Sequence, residues 1–175
     1  MTDLYVVVWI MILLLLTQPG LALGINLLLP GVSERAALRL DRTPAVSFGV
    51  GFVVAGFFFI VGGIGSSVIA PWMGGIFSGI LLGIYALGAA GMSRLFGERI
   101  ASVTGDYRFV RDTAIGAVVL ELACFVPLIG WFLFFPFVLA LNTGAALFAL
   151  IGWAPREKAV QPEVNPAHTV EWSTR

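Results

Sequence analysis

Long runs of uncharged, mostly apolar residues, separated by short charged segments, dominate this chain. No charged residue occurs from Leu4 to Val32 or from Thr43 to Ser93, and the stretch from Thr113 to Pro155 contains a single one, Glu121. A helix that crosses a bilayer needs about 20 apolar residues. The first run therefore accommodates one crossing, whereas each of the other two is long enough for a pair of crossings.

The first run predicts a span over about residues 4–29 with a break in its middle. Thr17-Gln18-Pro19-Gly20 lies there, and proline lacks the N–H that an interior helical position donates. We expect the helix to kink or break at Pro19, which lipid-embedded helices tolerate. The alternative is a cleaved secretory signal, but Met1-Thr2-Asp3 before the run carries no positive charge.

The two longer runs each predict a helical hairpin, because each has a proline near its middle. The breaks are Ala70-Pro71-Trp72 and Pro127-Leu128-Ile129-Gly130-Trp131, and tryptophan suits the membrane–water interface where hairpin turns lie. The predicted fold class is all-α: a polytopic membrane protein with five transmembrane helices, namely a kinked first span plus two helical hairpins. The four hairpin spans cover about residues 45–69, 72–94, 113–130 and 132–153.

The remaining segments are short and polar. Residues 32–42 predict a short interfacial helix, because Val32, Ala36, Leu38 and Leu40 could line one side of it. Residues 154–175 contain three prolines and several charges, a composition typical of an extended tail. The chain is therefore divided into a single transmembrane domain over 1–153 and a polar tail over 154–175.

Composition agrees with membrane insertion and excludes other classes. Hydrophobic residues make up 59% of the 175 residues and charged residues 11%, and the mean hydropathy is +0.98. An ordinary soluble domain has about 25% charged residues. Ten basic residues balance ten acidic ones, so there is no net positive field that would attract nucleic acid. The lipid bilayer is the expected environment, and no nucleic-acid partner is expected.

The basic residues predict the orientation. Residues 31–42 carry three arginines, residues 94–112 carry four, and the tail carries the remaining three basic side chains, whereas the predicted turns near 70 and 130 carry none. The positive-inside rule places such segments in the cytoplasm. We predict a multi-pass protein of a prokaryotic inner membrane, with its N-terminus outside and its C-terminus cytoplasmic. Three spans with two shallow re-entrant hairpins would give the same charge pattern.

Small residues recur at helical spacing in the second and third spans. Gly75, Gly79 and Gly83 follow one another at every fourth position, and Gly51 and Ala55 form a shorter face of the same kind. Residues four apart lie on one side of a helix, and in lipid such a face lets another helix approach closely. The stripe predicts helix packing, either within the chain's own hairpin or against a partner subunit or second copy.

Glu121 is the one acidic residue inside a predicted span. An antiparallel hairpin that turns near Trp131 would bring Asn142 to the same depth, with Thr143 beside it. We expect a neutral Glu121 carboxyl to hydrogen-bond Asn142 and so to set the register of the hairpin. The functional alternative is a carboxylate that binds a proton or cation during transport.

No pattern in the chain points to catalysis or to a cofactor. There is no phosphate-binding loop, nucleophile elbow or Cys/His metal spacing, and the single histidine, His168, lies in the tail. The single cysteine, Cys124, lies in an apolar run and is expected to be a small buried residue. We therefore expect neither enzymatic activity nor a cofactor or metal site.

The stretch Pro30–Trp153 resembles the membrane region attached to some bactofilin-like, polymer-forming cytoskeletal proteins of prokaryotes. The resemblance covers about 70% of the chain, but the β-helix that polymerises in that family is absent. It implies a membrane-anchoring hairpin module without catalysis, and no functional residue or filament role carries over. The matching motifs are Thr43-Pro44, Ser47-Phe48-Gly49-Val50-Gly51, Ile64-Gly65, Leu95-Phe96-Gly97-Glu98-Arg99-Ile100, Ile115-Gly116, Pro127-Leu128-Ile129-Gly130 and Gly144-Ala145-Ala146-Leu147.

The sequence thus predicts a non-catalytic integral membrane protein. The leading hypothesis is an accessory or structural subunit that acts by helix packing with another membrane protein or with itself. The alternative hypothesis is a small proton-coupled transporter or channel that uses Glu121.

Overall fold

A computed structural model describes residues 2–106, 108–126 and 128–153. Every regular element within these residues is helical, as the hydropathy pattern predicts. A π-helical turn, Gly130–Phe134, leads into the last helix. The helices are α1 (Thr2–Leu28), α2 (Pro30–Arg42), α3 (Pro44–Val68), α4 (Pro71–Thr104), α5 (Phe109–Phe125) and α6 (Phe135–Ile151).

Three of these helices are long and apolar enough to cross a membrane: Pro44–Val68, Pro71–Val103 and Gly130–Ile151. A fourth crossing is added if the bent pair Thr17–Leu28 and Pro30–Arg42 counts as one broken span. Helix α5 has 17 residues, slightly fewer than a full crossing requires. The prediction of helices long and apolar enough to cross a membrane is therefore confirmed for three helices, or for four if the bent pair is one span.

The break in the first span lies ten residues after the predicted one. Helix α1 continues through Pro19, and the chain instead bends by 111° between α1 and α2. Leu29 leaves the helical region with φ −128° and ψ 56°, and Pro30 then occupies the first turn of α2, where its missing N–H costs nothing. Of the two predicted outcomes at Pro19, the break is wrong, because lipid-embedded helices can accommodate an interior proline, and the kink stays a prediction.

The first predicted hairpin is present, but its second helix extends beyond the predicted end. Pro44 and Pro71 open α3 and α4 at first-turn positions, as the sequence suggests. Helix α4 continues past Arg94 to Thr104 and ends at Gly105, whose φ of 78° suits glycine. Arg94 bonds Glu98 at 2.9 Å, a spacing of four residues that supports the helix outside the apolar run.

The second predicted hairpin does not form as an antiparallel pair. Helix α5 packs on α4 and α1, whereas α6 packs on α3, α4 and α2, so α4 separates α5 from α6. Between them the chain turns through Leu128, with φ 65°, and the π-helical turn. Helix α6 lies at the centre, and all its residues from 138 to 146 are buried. An apolar helix enclosed on every side is typical of a core helix.

Glycines allow the close helix contacts of this core. On α3 and α6, Gly51 lies against the backbone of Ala140 and Gly144, and Gly144 lies against the backbone of Ser47. On α4 and α5, the same arrangement pairs Gly97 with Asp112 and Gly116 with Ser93. A Cβ added at any of these glycines would overlap backbone atoms of the facing helix. Two such reciprocal contacts therefore set the separation of the helices.

Candidate functional site

The predicted glycine stripe of α4 has no neighbour within the described part of the chain. A Cβ built at Gly75, Gly79 or Gly83 meets no atom within 4 Å, and all three residues are exposed. The prediction that this stripe packs within the chain's own hairpin is therefore wrong. By contrast, Gly51 and Ala55 are both buried, and Gly51 is part of the α3–α6 contact. The stripe is left as an open face of α4.

Other glycines of α4 make the internal contacts. Gly88 lies against the backbone of Asn142 on α6, and Gly91 lies against Ser33 and Ala36 on α2. Together with Gly97, these two glycines lie on the side of α4 that faces the other helices. The regular spacing of the exposed stripe gives no indication of this inward side. The pattern of small residues alone could not distinguish the two sides, because both are apolar.

Glu121 and Asn142 are not paired. The amide nitrogen and oxygen of Asn142 have no hydrogen-bond partner among the described residues, and the same is true of the Thr143 hydroxyl, although both residues are fully buried. The predicted hydrogen bond is wrong because it assumes an antiparallel α5–α6 hairpin, whereas α4 lies between these helices.

Glu121 instead lines a small cleft between α1, α4 and α5. Tyr85 of α4 lines the same cleft. The internal volume of the cleft is about 10 Å³, which is close to the space that one water molecule needs. The cleft is lined by the polar residues Gln18, Tyr85, Ser93 and Glu121 and by the apolar residues Ala22, Ala89, Ala117 and Leu120.

Asn26 holds α1 beside this cleft. Its side-chain amide is buried and donates to the carbonyl of Ala22 at 2.8 Å and to that of Ala90 at 2.9 Å. The second bond connects α1 to α4 across the apolar interior, where an unpaired amide is costly. The position of Gln18 in the cleft, two turns earlier on the same helix, thus depends on a specific contact between α1 and α4.

Sequence reasoning missed Gln18 and Tyr85 as neighbours of Glu121. Gln18 was interpreted as part of a helix break, although it is a polar residue in an otherwise apolar run. Tyr85 is the one tyrosine between Thr43 and Ser93, and its ring is buried with 6% exposure. Each of these residues is a polar group inside a predicted span, which marks it as a candidate. Their spacing in the sequence does not show that they are neighbours, because they lie on separate helices.

A second group of polar contacts connects α2 to the end of α6. Arg39 is buried, and its Nε donates to the carbonyl of Trp153 at 3.1 Å. Its guanidinium carbon lies 4.3 Å from the centre of the Phe148 ring and 5.3 Å from that of Trp153. A cation at a helix C-terminus stabilises the unpaired carbonyls there, and the two aromatic faces add attraction.

Ion pairs connect α2 to α4 at the same end of the helices. Arg94 lies 3.6 Å from Glu34, and Arg99 bonds Asp41 at 2.6 Å. These contacts hold the charged part of α2 beside the charged end of α4, and Arg39 holds Trp153, the last described residue, beside α2. The charged ends of α2 and α4 therefore lie at the same end of the bundle as the end of α6.

The start of α5 is fixed by Asp112, which is buried and faces Gly97 on α4. Its carboxylate accepts a hydrogen bond from Arg111 Nε at 2.8 Å and one from the backbone N–H of Arg108 at 2.5 Å. These two bonds hold the pKa of Asp112 below its ordinary value, so it is charged at neutral pH. The carboxylate satisfies a backbone donor at the N-terminus of the helix.

No group of three His, Cys, Asp or Glu side chains within the described ranges could hold a metal ion. His168 and the predicted polar tail, 154–175, lie outside the described residues. The tail prediction and the role of its charges therefore stay predictions.

Comparison with known proteins gives no match: no family model, no curated protein and no solved structure is significantly similar to this chain.

Proposed function

We propose that this chain is a non-catalytic structural membrane protein that associates with a second copy of itself through the open face of α4. The observation that carries the proposal is the stripe Gly75, Gly79 and Gly83, which no described residue approaches within 4 Å. Exposed apolar side chains flank it, among them Ile76, Ile80 and Leu82. In lipid, apolar exposure alone gives no reason to associate, whereas a small-residue groove permits close van der Waals contact with another helix.

The chemistry of this face favours a second copy as the occupant. In a two-fold symmetric pair the same surface of both copies forms the contact, so a groove of glycines meets an identical groove at close approach. The face carries no charged residue that would require a complementary partner. The proposal does not depend on the resemblance to the bactofilin-linked membrane region, which stays a prediction.

The association is tested by measuring dimer formation in lipid bilayers, for example by energy transfer between separately labelled copies. We expect Gly79→Leu to weaken dimerisation at least about tenfold, which corresponds to about 1.4 kcal/mol. The reason is steric, because an isobutyl group would hold the two helices apart. The stability of the monomer should not fall, since this position has no internal neighbour.

Ser78→Leu is the matched control for this experiment. Ser78 is also exposed, lies on the same helix at nearly the same depth, and points about 100° away from Gly79. Equal dimerisation of the wild type and Gly79→Leu would contradict the proposal. The face would instead belong to a contact with a different subunit if the wild type is monomeric and co-purifies with another membrane protein, and if Gly79→Leu abolishes this co-purification.

We further propose five crossings, with α1 and α5 included, an external N-terminus and a cytoplasmic C-terminus in a prokaryotic inner membrane. The basic segments carry the argument, because seven arginines lie in α2, in the end of α4 and around the start of α5. Contacts such as Arg99–Asp41 and Arg39–Trp153 bring these segments to one end. The positive-inside rule makes that end cytoplasmic.

This topology predicts two accessibility classes for single cysteines in a chain with Cys124 replaced by alanine. Val103→Cys and Asn165→Cys should react only from the cytoplasmic side, whereas Thr2→Cys and Ile69→Cys should react from the outside. Labelling of intact cells with a membrane-impermeant maleimide checks this. If Ile69→Cys does not react from outside, the re-entrant arrangement is favoured. If Thr2→Cys falls in the same accessibility class as Val103→Cys, the proposed external N-terminus is contradicted.

The second candidate function is a small proton-coupled transporter or channel that uses Glu121. The observation in its favour is the cleft that Glu121 shares with Gln18 and Tyr85. We place it second because no other acidic or basic side chain among the described residues lines the cleft, and a proton relay ordinarily uses several. Proton flux into liposomes that is lost in Glu121→Gln would favour this function.

A further inference from the structure

We propose that an open cleft between α2 and α4 binds the headgroup of an ethanolamine phospholipid. The cleft has a volume of about 220 Å³, whereas one water molecule needs about 10–15 Å³ by the same measure. This inference goes beyond the proposed self-association and does not rest on it, since the cleft and the glycine stripe of α4 share no residue. The lining of the cleft includes Glu34, Leu38 and Asp41 of α2 and Arg94, Leu95 and Glu98 of α4.

Two carboxylates of this cleft converge on one guanidinium. Arg94 Nε lies 2.9 Å from Glu98 Oε1, and Arg94 Nη1 lies 3.6 Å from Glu34 Oε2. The third acid, Asp41, is matched by Arg99 at 2.6 Å. Among the described residues, the group around Arg94 therefore has one more carboxylate than cation. The Glu34 and Glu98 side chains are 56% and 43% exposed, so a cationic group can reach them from outside.

Arg94 is also the group that would bind the phosphate of the same headgroup. Its contacts with the two carboxylates use Nε and Nη1, whereas a guanidinium has five N–H donors. The donors on Nη2 can therefore bond a phosphate oxygen, an acceptor that suits arginine. An ethanolamine phospholipid presents a phosphate and a primary ammonium close together, which matches a guanidinium flanked by two carboxylates.

The position of the cleft along α4 is that of the lipid headgroups. The uncharged run of this part of the chain ends at Ser93, and Arg94 is the first charged residue after it. Arg94 thus begins the polar end of a helix that is long and apolar enough to cross a membrane. Leu38, which is 37% exposed, and Leu95 give the cleft an apolar side against which an acyl chain can pack. A membrane lipid supplies both the charged and the apolar part of such an occupant.

Charge and hydrogen bonding select the headgroup. The excess carboxylate repels a headgroup of net negative charge. A choline headgroup has the same charges as ethanolamine, but its methyl groups leave no N–H for a carboxylate. The ammonium of ethanolamine, like that of lysine, can donate charge-assisted hydrogen bonds, which Glu34 and Glu98 can accept.

The experiment measures lipid binding to the purified full chain in an uncharged detergent by native mass spectrometry. Phosphatidylethanolamine, phosphatidylcholine and phosphatidylglycerol with identical acyl chains are compared. We expect the wild type to bind phosphatidylethanolamine at least about threefold more tightly than either other lipid, a difference within the range for exposed charge pairs. Glu34→Gln and Glu98→Gln should each remove this preference, because glutamine offers a neutral oxygen in place of the carboxylate. The preference is a ratio within one variant, so a general loss of stability does not imitate its loss.

Asp106→Asn is the matched control, because it removes one carboxylate just after the end of the same helix but outside the cleft. Asp106 is 63% exposed and pairs with Arg108 at 3.3 Å. This variant should keep the whole preference. Two results would overturn the proposal: wild-type binding of phosphatidylcholine or phosphatidylglycerol as tight as that of phosphatidylethanolamine, or a preference of wild-type size in both Glu34→Gln and Glu98→Gln. Neither result bears on self-association, which the energy-transfer measurement with Gly79→Leu tests separately.

Discussion

Gly144→Ala should destabilise the folded protein by about 3 kcal/mol, at the upper end of the range for overpacked cores. Gly144 lies in the middle of α6, where an added Cβ would come within 2.7 Å of the Ser47 backbone carbon and 3.0 Å of the Gly51 backbone nitrogen. These are main-chain atoms of α3, which cannot rotate away as a flexible side chain can. The two helices would have to separate, with loss of dispersion contacts along the whole interface.

Gly49→Ala is the matched control, since it makes the same chemical change at an exposed position inside α3 with no neighbour within 4 Å. The stability of this variant should change by less than about 1 kcal/mol, in the direction of stabilisation, because alanine has the higher helix propensity. Reversible unfolding in detergent, followed by circular dichroism, measures both variants. Similar melting of Gly144→Ala and Gly49→Ala would show that the α3–α6 contact does not set the packing of the core.

Arg39→Ala should cost about 3 kcal/mol of stability, the second of the large effects. The side chain is 6% exposed and connects α2 to the segment that directly follows α6 through the Trp153 carbonyl. Its Nη1 also donates to Thr43 Oγ1 at 3.1 Å, and Phe148 covers its guanidinium. Removal of the side chain takes the donor from the Trp153 carbonyl and opens a gap beside two aromatic rings.

Arg99→Ala provides the comparison, because Arg99 is 65% exposed although it contacts Asp41 at 2.6 Å. An exposed ion pair contributes no more than about 1 kcal/mol. Arg39→Lys should recover less than half of the loss, because lysine keeps the charge but lacks the planar guanidinium that stacks and donates in two directions. If Arg39→Ala is as stable as Arg99→Ala, Arg39 does not stabilise the contact between α2 and the end of α6.

The elements of this fold were predictable where a local property decides them. Pro44 and Pro71 begin helices because proline favours the first turn, and the uncharged runs coincide with the long apolar helices. Predicted helix ends were wrong where tertiary contacts or neighbouring residues outweighed a single local residue. Helix α1 continues through Pro19, and α4 extends ten residues beyond Arg94, where the bond between Arg94 and Glu98 supports it.

The candidate site was predicted only in part. Glu121, which the sequence singles out as an acid inside an apolar run, lines the cleft, but Asn142 was the wrong neighbour. The partners in the cleft, Gln18 and Tyr85, lie far from it in the chain and reach it because α1 and α4 pack against α5. The comparison of residues at equal distances from one hairpin turn cannot find a contact that depends on which helices are neighbours in the bundle.

The sequence by itself determined that the described chain is all-helical, with helices long and apolar enough to cross a membrane, because hydropathy and proline positions act through the local backbone. Only the tertiary structure decided that α4 lies between α5 and α6, and that Gly88 and Gly97 face inward while Gly79 stays open. The physical reason is that membrane helices are apolar on all sides, so hydropathy does not distinguish one side from another. Their neighbours are chosen by shape, through close contacts such as that of Gly51 with Gly144.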